Sequence, residues 1–209
     1  MDWGVLWQYR EALLDGFTVT VWVSVASICG STLLGVTAGC LGTLPSLLLA
    51  RLVGTYTEVL RNLPVIVKLF FFYFVVGLPV IPASVLALSL HQSAYIADVT
   101  AAGIRSVARG QLDASLSLGH SHAQAFLYVI LPQVVRIVIP PMTTQYVSVV
   151  KNSSVAALIS LQELTYQTQQ INVETFRGFE AATAATLLYI AIALVVIGAL
   201  AWLHRWLVA

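Results

Sequence analysis

Residues 111–132, QLDASLSLGHSHAQAFLYVILP, lie between two long apolar runs and decide how the chain is organised. Leu112, Leu116, Gly119 and Ala123 recur at intervals of four, three and four, which predicts one apolar stripe on a short helix. A helix of this kind can lie in a groove on a partner protein. Gly119 predicts the end or a bend of the helix, because glycine tolerates positive φ. Periodicity alone fits an ordinary interfacial helix between two membrane spans equally well.

The composition around this segment is that of an integral membrane protein. Of the 209 residues, 59% are hydrophobic and only 9% are charged, whereas soluble domains carry about 25% charged residues. Several apolar runs reach the roughly 20 residues that cross a ~30 Å hydrocarbon layer. A net charge of +1 and the lack of a basic run in the sequence argue against a nucleic-acid partner and against a basic patch for anionic lipid.

The apolar runs predict an all-α, polytopic membrane protein, with one domain over residues 1–209 and five transmembrane helices. The predicted spans are about 17–41, 58–76, 83–107, 123–150 and 182–203, and the short helix covers about 110–122. Residues 43–57 predict a connection, and residues 1–15 predict an amphipathic segment at the membrane surface. Gly35 and Gly39 form a G-x-x-x-G pair that allows close helix approach.

The basic residues predict an orientation. Arg51, Arg105, Arg109 and Arg205 fall on one side of the five spans, and Arg10, Lys151 and Arg177 fall on the other with most of the acids. The positive-inside rule then places the N-terminus outside and the C-terminus in the cytoplasm, so that the short helix also faces the cytoplasm. The N-terminal stretch does not predict a cleaved signal peptide.

Metal and nucleotide sites are not predicted in this chain. His120 and His122 point to different helix faces, and neither a cysteine nor a carboxylate cluster completes a site. Cys29 and Cys40 lie eleven residues apart on one helix, beyond disulfide reach, and predict small buried side chains. The sequence lacks a G-x-x-x-x-G-K-[S/T] loop, and therefore a Walker-type nucleotide site.

The spacing of Asp113-Ala114-Ser115, Gly119, Val129 and Leu131-Pro132 closely resembles the E-A-A, three residues, G, nine residues, I-x-L-P signature of the membrane subunits of bacterial ABC importers. Asp113, Ser115 and Val129 depart conservatively from the usual Glu, Ala and Ile. In that family the segment is a cytoplasmic coupling helix that inserts into a separate ATPase. The resemblance implies this coupling role for Leu112, Asp113, Ala114, Ser115, Leu116, Gly119, Leu131 and Pro132.

Further motifs resemble the polar amino-acid permeases within that family, which serve histidine, arginine, glutamine, glutamate and opines. Residues 58–71, EVLRNLPVIVKLFF, resemble their E-x-x-R-x-T-P-L-L-V-Q-L-F-F motif, with Leu63 for the usual Thr and Lys68 for the usual Gln. Residues 94–104, together with the stretches at 151–154 and 163–164, resemble later motifs in the same order. The resemblance covers nearly the whole chain.

The resemblance implies a transport complex in the bacterial cytoplasmic (inner) membrane. Its parts are two permease subunits, identical or paralogous, two ATPase subunits, and a periplasmic or lipid-anchored substrate-binding protein. ATP and Mg²⁺ would bind the ATPases, and this chain would bind no cofactor. The permeases would alternate between outward-facing and inward-facing states to import a polar amino acid or a related small zwitterion, whose identity the chain does not reveal.

Ionisable and polar groups near or within the membrane are candidates for the substrate pathway. The candidates are Arg61, Asn62, Pro64, Lys68, Asp98, Lys151, Asn152, Ser153, Ser154 and Glu163. Lys68 and Asp98 both fall at ~15 Å depth and predict an ion pair. That pair would neutralise charge between packed helices, or Lys68 would face the cavity and attract a substrate carboxylate. Glu163 would bind a substrate ammonium group. Residues 151–154 would form either a polar gate or a solvated loop entrance.

Two other classes compete with an ABC permease. In an ion-coupled secondary transporter of a small polar solute, Asp98 would be the proton or sodium site, but five spans do not divide into an obvious internal repeat. A membrane-embedded enzyme would need a nucleophile–base pair or a metal cluster, and the sequence predicts neither.

Overall fold

The computed structural model describes residues 2–208, which fold into a bundle of long helices; Met1 and Ala209, the ends of the predicted domain, lie outside the described residues. The helices are α1 (Gly4–Gln8), α2 (Arg10–Gly42), α3 (Leu47–Asn62), α4 (Val65–Phe70), α5 (Val80–Ser106), α6 (Arg109–Ser117), α7 (His122–Ala125), α8 (Leu131–Ser153), α9 (Leu164–Thr175) and α10 (Gly178–Val208). π-Helical turns extend α4 over Phe71–Val75 and join α7 to α8 over Phe126–Ile130, and a 3₁₀ turn covers Ser154–Ile159.

Four continuous helical segments are long and apolar enough to cross a membrane, among the described residues. They are α2, α5, the segment from α7 through the 3₁₀ turn (His122–Ile159), and most of α10 (Gly178–Leu207). At ~1.5 Å per residue, the 27 residues of α5 span more than a ~30 Å hydrocarbon layer. The predicted all-α membrane fold is confirmed.

The second predicted span is divided into two shorter helices. The helix begins at Leu47, where the Ser46 hydroxyl accepts a hydrogen bond from the Leu49 N–H at 3.4 Å. It stops before Pro64, because proline lacks an N–H and holds the preceding residue extended; Leu63 has φ −88° and ψ 127°. The chain then continues as α4. The prediction that residues 43–57 form a connection is therefore wrong, since most of that range is α3.

Helix α2 packs closely along α5 through a stripe of small residues. Thr20, Ser24, Ser27, Ser31, Gly35 and Gly39 are all buried. A Cβ atom on Gly35 would lie 2.6 Å from the Ile96 Cβ, and one on Gly39 would lie 2.6 Å from the Thr100 Cβ. The close approach expected from the G-x-x-x-G pair is confirmed, because any side chain at either glycine would force the two helices apart.

Helix α10 presents a broad apolar surface outside the bundle. Its residues Leu187, Leu194 and Trp202 are all more than 60% exposed. The helix packs mainly against α8 and α9 along one side. An apolar face of this length is suited to contact with lipid chains.

Candidate functional site

The predicted coupling segment is a helix followed by a tight turn. Helix α6 ends at Ser117, earlier than the predicted end at residue 122. Gly119 has φ +88°, and its N–H donates to the Leu116 carbonyl at 3.0 Å. The left-handed conformation of Gly119 terminates the helix as the sequence predicted.

Two serines hold the turn after α6. The buried Ser115 hydroxyl lies 2.8 Å from His120 Nδ1. The Ser121 hydroxyl accepts from the Gln124 N–H, while the Gln124 side chain accepts from the Ser121 N–H, which forms a capping box at the start of α7. These bonds set the direction in which the chain enters α7, and they give His120 a structural partner that the sequence did not predict.

The free face of the coupling segment is not the predicted apolar stripe. Leu112 and Leu116 are half-buried against this chain, whereas Asp113 and Ala114 are exposed. Leu118 is 81% exposed. The face available to a partner therefore carries Asp113, Ala114 and Leu118, and the leucine stripe holds α6 against its own membrane domain. Leu131 and Pro132 begin α8 directly after the π-helical turn of Phe126–Ile130, so the missing N–H of Pro132 falls where the regular α-helical hydrogen-bond pattern changes.

The predicted Lys68–Asp98 ion pair is wrong. Lys68 is 5% exposed, and its Nζ donates to the carbonyls of Leu60 at 2.6 Å and Leu63 at 2.7 Å. The same Nζ lies 3.0 Å from His91 Nδ1, which accepts because an ammonium group can only donate. The break at Pro64 frees carbonyls at the end of α3, and Lys68 reaches back to satisfy them.

Asp98 pairs instead with Arg61. The Arg61 Nη1 lies 2.5 Å from Asp98 Oδ2, and both side chains are about half exposed, at 49% and 46%. The Arg61 guanidinium also stacks over the Tyr95 ring, 5.4 Å from its centroid. The pair thus joins α3 to α5 at the surface of the chain.

A polar cavity of about 360 Å³ opens beside this pair. Its lining is Thr57, Glu58, Arg61, Asn62 and Tyr95. Guanidinium, carboxylate, amide and hydroxyl groups therefore meet in one place, next to the break at Pro64. A second cavity of about 320 Å³ lies on the other side of Asp98 and extends to Arg105.

Glu58 and Tyr95 are site residues that the sequence analysis did not select. Each stands three positions before a selected residue, Arg61 or Asp98. Residues three apart share a helix face, so this spacing was the signal that could have found them. His91 was also missed, because its role depends on the break in the neighbouring chain segment.

The predicted polar patch at residues 151–154 is only partly available to a solute. Lys151 is exposed and Asn152 half-buried. Ser153 is buried, and its hydroxyl donates to the Val150 carbonyl at 2.8 Å. The Ser154 hydroxyl donates to the Lys151 carbonyl at 2.7 Å. The serines thus bond the local backbone, and only Lys151 and Asn152 remain to meet a solute.

Glu163 is fully buried, away from the Arg61 cavity. Its carboxylate caps the N-terminus of α9 by accepting from the Tyr166 N–H at 2.9 Å, and it accepts from the Tyr189 hydroxyl of α10. Burial raises the pKa of Glu163, although these hydrogen bonds oppose the shift. In this conformation no solute reaches the group, which ties α9 to α10.

A family model described as "Binding-protein-dependent transport system inner membrane component" matches residues 31–208. The chain belongs to this family. It is accordingly a transport permease subunit of the inner membrane and not itself an enzyme.

Curated relatives align with nearly the full length of the permease. A probable glutamine ABC transporter permease protein of Bacillus subtilis (strain 168) is 35% identical, over 91% of this chain and 90% of that protein. A glutamine transport system permease protein of Escherichia coli (strain K12) is 32% identical, over 93% and 92%. A glutamate/aspartate import permease protein of the same strain is 31% identical, over 91% and 88%.

A solved structure has the same fold as the permease. The crystal structure of an amino acid ABC transporter with histidines contains a chain with a TM-score of 0.89 and 27% identity, and the match covers 98% of both chains. A chain from a structure of the inward-facing MetNI methionine ABC transporter shares the fold, with a TM-score of 0.83 at 17% identity and coverage of 96% and 98%. The predicted resemblance to amino-acid ABC permeases is confirmed.

Proposed function

We propose that this permease subunit imports a polar amino acid or a related small zwitterion, driven by ATP hydrolysis in separate ATPase subunits. The observation that carries the proposal is the solvent-open cluster of Arg61, Asp98, Glu58 and Asn62 beside a broken membrane helix. Relatives named for glutamine and for glutamate/aspartate support the same solute class. An ion-coupled secondary transporter finds no support in these relatives.

The cluster has the chemistry that a zwitterion requires. The Arg61 guanidinium can hold a carboxylate through two parallel hydrogen bonds, and the carboxylates of Glu58 and Asp98 can hold an ammonium group. A half-exposed ion pair contributes only about 0–1 kcal/mol to stability, so a solute can replace Asp98 as the partner of Arg61 at little cost. Asn62 offers both a donor and an acceptor. Pro64 and Lys68 support the cavity by making and stabilising the helix break.

The coupling role is proposed for the coupling segment, which consists of α6 and the tight turn that follows it. Asp113, Ala114 and Leu118 would contact the ATPase, because they form the exposed face. Leu112 and Leu116 would hold α6 against the membrane domain. Four residues would transmit motion from α6 to α8. They are Ser115 and Gly119, at the end of α6 and in the turn, and Leu131 and Pro132, at the start of α8. The hydrogen bond between Ser115 and His120 and the left-handed Gly119 fix the direction in which the chain leaves α6.

The proposed assembly places the N-terminus outside and the C-terminus in the cytoplasm, so that α6 faces the cytoplasm. Two permease subunits, identical or paralogous, would enclose the pathway, and a periplasmic or lipid-anchored binding protein would deliver the solute. ATP and Mg²⁺ would bind the ATPases alone. Lys151 and Asn152, near the outer end of α8, would meet the incoming solute. For Glu163, burial favours structural support over contact with the substrate.

The test is uptake of labelled glutamine, glutamate, histidine and arginine into proteoliposomes that contain the permease with its ATPase and binding protein. Arg61→Gln and Asp98→Asn are expected to lower uptake at least tenfold while the amount of folded complex stays unchanged. Arg51→Gln, an exposed charge change on the same helix as Arg61, is the control. Parent-like uptake of all four solutes by both variants would refute the proposed site.

A further inference from the structure

A large cavity at the membrane boundary is separate from the proposed solute site, although Leu112 of the coupling segment lines it. Its volume is about 940 Å³, within the range of ligand sites. It lies where α2 and α5 end and where α6 and α7 begin. Because α5 is longer than the hydrocarbon layer is thick, these helix ends reach the level of lipid headgroups.

The lining of the cavity combines basic and apolar side chains. Arg105, Arg109, His122 and Thr43 supply the charged or polar side chains. The larger apolar lining residues are Leu44, Ile104, Val107, Leu112, Phe126 and Ile130. No carboxylate is among the lining residues. Within residues 2–208, the ion pairs involve neither Arg105 nor Arg109, so both guanidinium groups keep their full capacity to bind an anion.

The sequence did not predict this arrangement. Arg105 lies in the last turn of α5, Arg109 begins α6, and His122 begins α7. Residues of other types separate them, so the sequence shows no basic run. The turn at Gly119 returns α7 towards the end of α5, and this return brings the three groups to one opening.

We propose that this cavity binds an anionic phospholipid. The headgroup phosphate lies against Arg105 and Arg109, and an acyl chain lies along Phe126 and Ile130. Guanidinium groups bind phosphate oxygens in pairs of parallel hydrogen bonds. The apolar lining distinguishes a lipid from a free phosphate, because a free phosphate has no apolar surface to bury against leucine, isoleucine and phenylalanine side chains. The site thus binds a lipid where α5 ends and the coupling segment begins.

The experiment measures lipid bound to the full-length permease in detergent, by native mass spectrometry, with equal additions of phosphatidylglycerol and phosphatidylcholine. Phosphatidylglycerol is expected to bind more tightly. The Arg105→Gln/Arg109→Gln double variant is expected to lose at least fivefold in affinity for it, since each cation near an anionic headgroup contributes about 1 kcal/mol, or about fivefold.

Two matched variants separate the site from general attraction. Arg51→Gln/Arg205→Gln removes two charges proposed for the same membrane side but outside the cavity, and should bind phosphatidylglycerol as the parent does. Arg105→Lys/Arg109→Lys keeps the charge but not the paired hydrogen bonds, and should bind phosphatidylglycerol less tightly than the parent and more tightly than the glutamine variant. An equal loss in the Arg51/Arg205 control would overturn the proposal.

Other outcomes also overturn it. Equal binding of the two lipids would show an apolar groove without headgroup selection. Displacement of phosphatidylglycerol by equimolar inorganic phosphate or glycerol 3-phosphate would show a site for free anions. Loss of bound lipid when the ATPase is added would show that a protein covers the cavity. None of these measurements depends on amino-acid uptake, so failure here leaves the proposed transport function intact.

Discussion

At the residue scale, two buried ionisable groups stabilise helix ends. Lys68 places an ammonium group on the free carbonyls of Leu60 and Leu63, and Glu163 places a carboxylate on the free N–H of Tyr166. Each therefore compensates one end of a helix. The sequence analysis selected both as candidates for substrate contact. The sequence shows that an ionisable residue lies near or within the membrane, but it does not show whether its partner is a solute or a helix end.

Lys68→Met is expected to destabilise the permease by about 2 kcal/mol, because the carbonyls of Leu60 and Leu63 lose their donor while buried. The measurement is thermal unfolding in detergent, together with the amount of protein in the membrane. Lys151→Met removes an exposed lysine and serves as the control, with parent stability expected. A Lys68→Met protein of parent stability that fails to transport would mean that Lys68 contacts the solute.

The pH dependence of stability should report on Glu163. Its pKa is raised in the folded protein, so the folded state binds the proton more tightly than the unfolded state does. The stability of the parent relative to Glu163→Gln should therefore be greatest below the ordinary pKa of 4.5 and fall as pH rises through the raised value. The measurement is thermal unfolding of both proteins from pH 4.5 to neutrality.

Glu163→Gln should also transport at close to the parent rate, because glutamine keeps an acceptor for the Tyr166 N–H. Glu163→Ala should lose about 1 kcal/mol from the missing cap alone. Glu163→Gln with parent stability but changed substrate preference would assign the carboxylate to the solute instead.

At the element scale, the turn of the coupling segment depends on the left-handed backbone conformation of Gly119. Gly119 has φ +88°, and nothing lies within 4 Å of the position that a Cβ would occupy. A side chain there is therefore strained by the backbone and not by a neighbour. Gly110 in α6 is a matched control, because a Cβ there would also meet open space but its φ is not positive.

Gly119→Ala is expected to disturb the turn by about 1 kcal/mol, since only glycine adopts this conformation freely. Uptake per folded complex and ATPase stimulation by loaded binding protein should both fall severalfold, while membrane insertion is unchanged. Gly110→Ala should retain both activities, because alanine favours a helix interior. Equal activity of the two variants would show that the backbone conformation of the turn at Gly119 does not limit coupling.

At the scale of the whole molecule, the proposed function requires a second permease subunit to complete the pathway and an ATPase to supply the energy. The Arg61 cavity opens to the surface of the chain, and the exposed face of α6 is available to a partner, as the proposed assembly requires. Transport should therefore depend on a nucleotide site that lies in another polypeptide, and the small α3–α5 cavities should close only against a second permease subunit.

Disabling the nucleotide site of the ATPase is expected to abolish uptake by the assembled transporter. Uptake should survive collapse of the proton gradient while ATP is maintained. The measurement is initial uptake rate in proteoliposomes loaded with ATP, with and without a protonophore. An uptake rate that follows the proton gradient and ignores ATP would restore the ion-coupled alternative, in which Asp98 carries the proton.

The sequence by itself determined the membrane class, the main helices, the left-handed stop at Gly119 and the family, because hydropathy and motif spacing act locally along the chain. Tertiary structure decided the partners of Lys68 and Asp98 and the burial of Glu163. It also decided which face of α6 is free and how Arg105, Arg109 and His122 come to one cavity. These features depend on the helix break at Pro64 and on helix packing, which bring together residues that are distant in the sequence. Two residues at the same membrane depth on different helices need not be in contact, so the sequence alone does not predict their pairing.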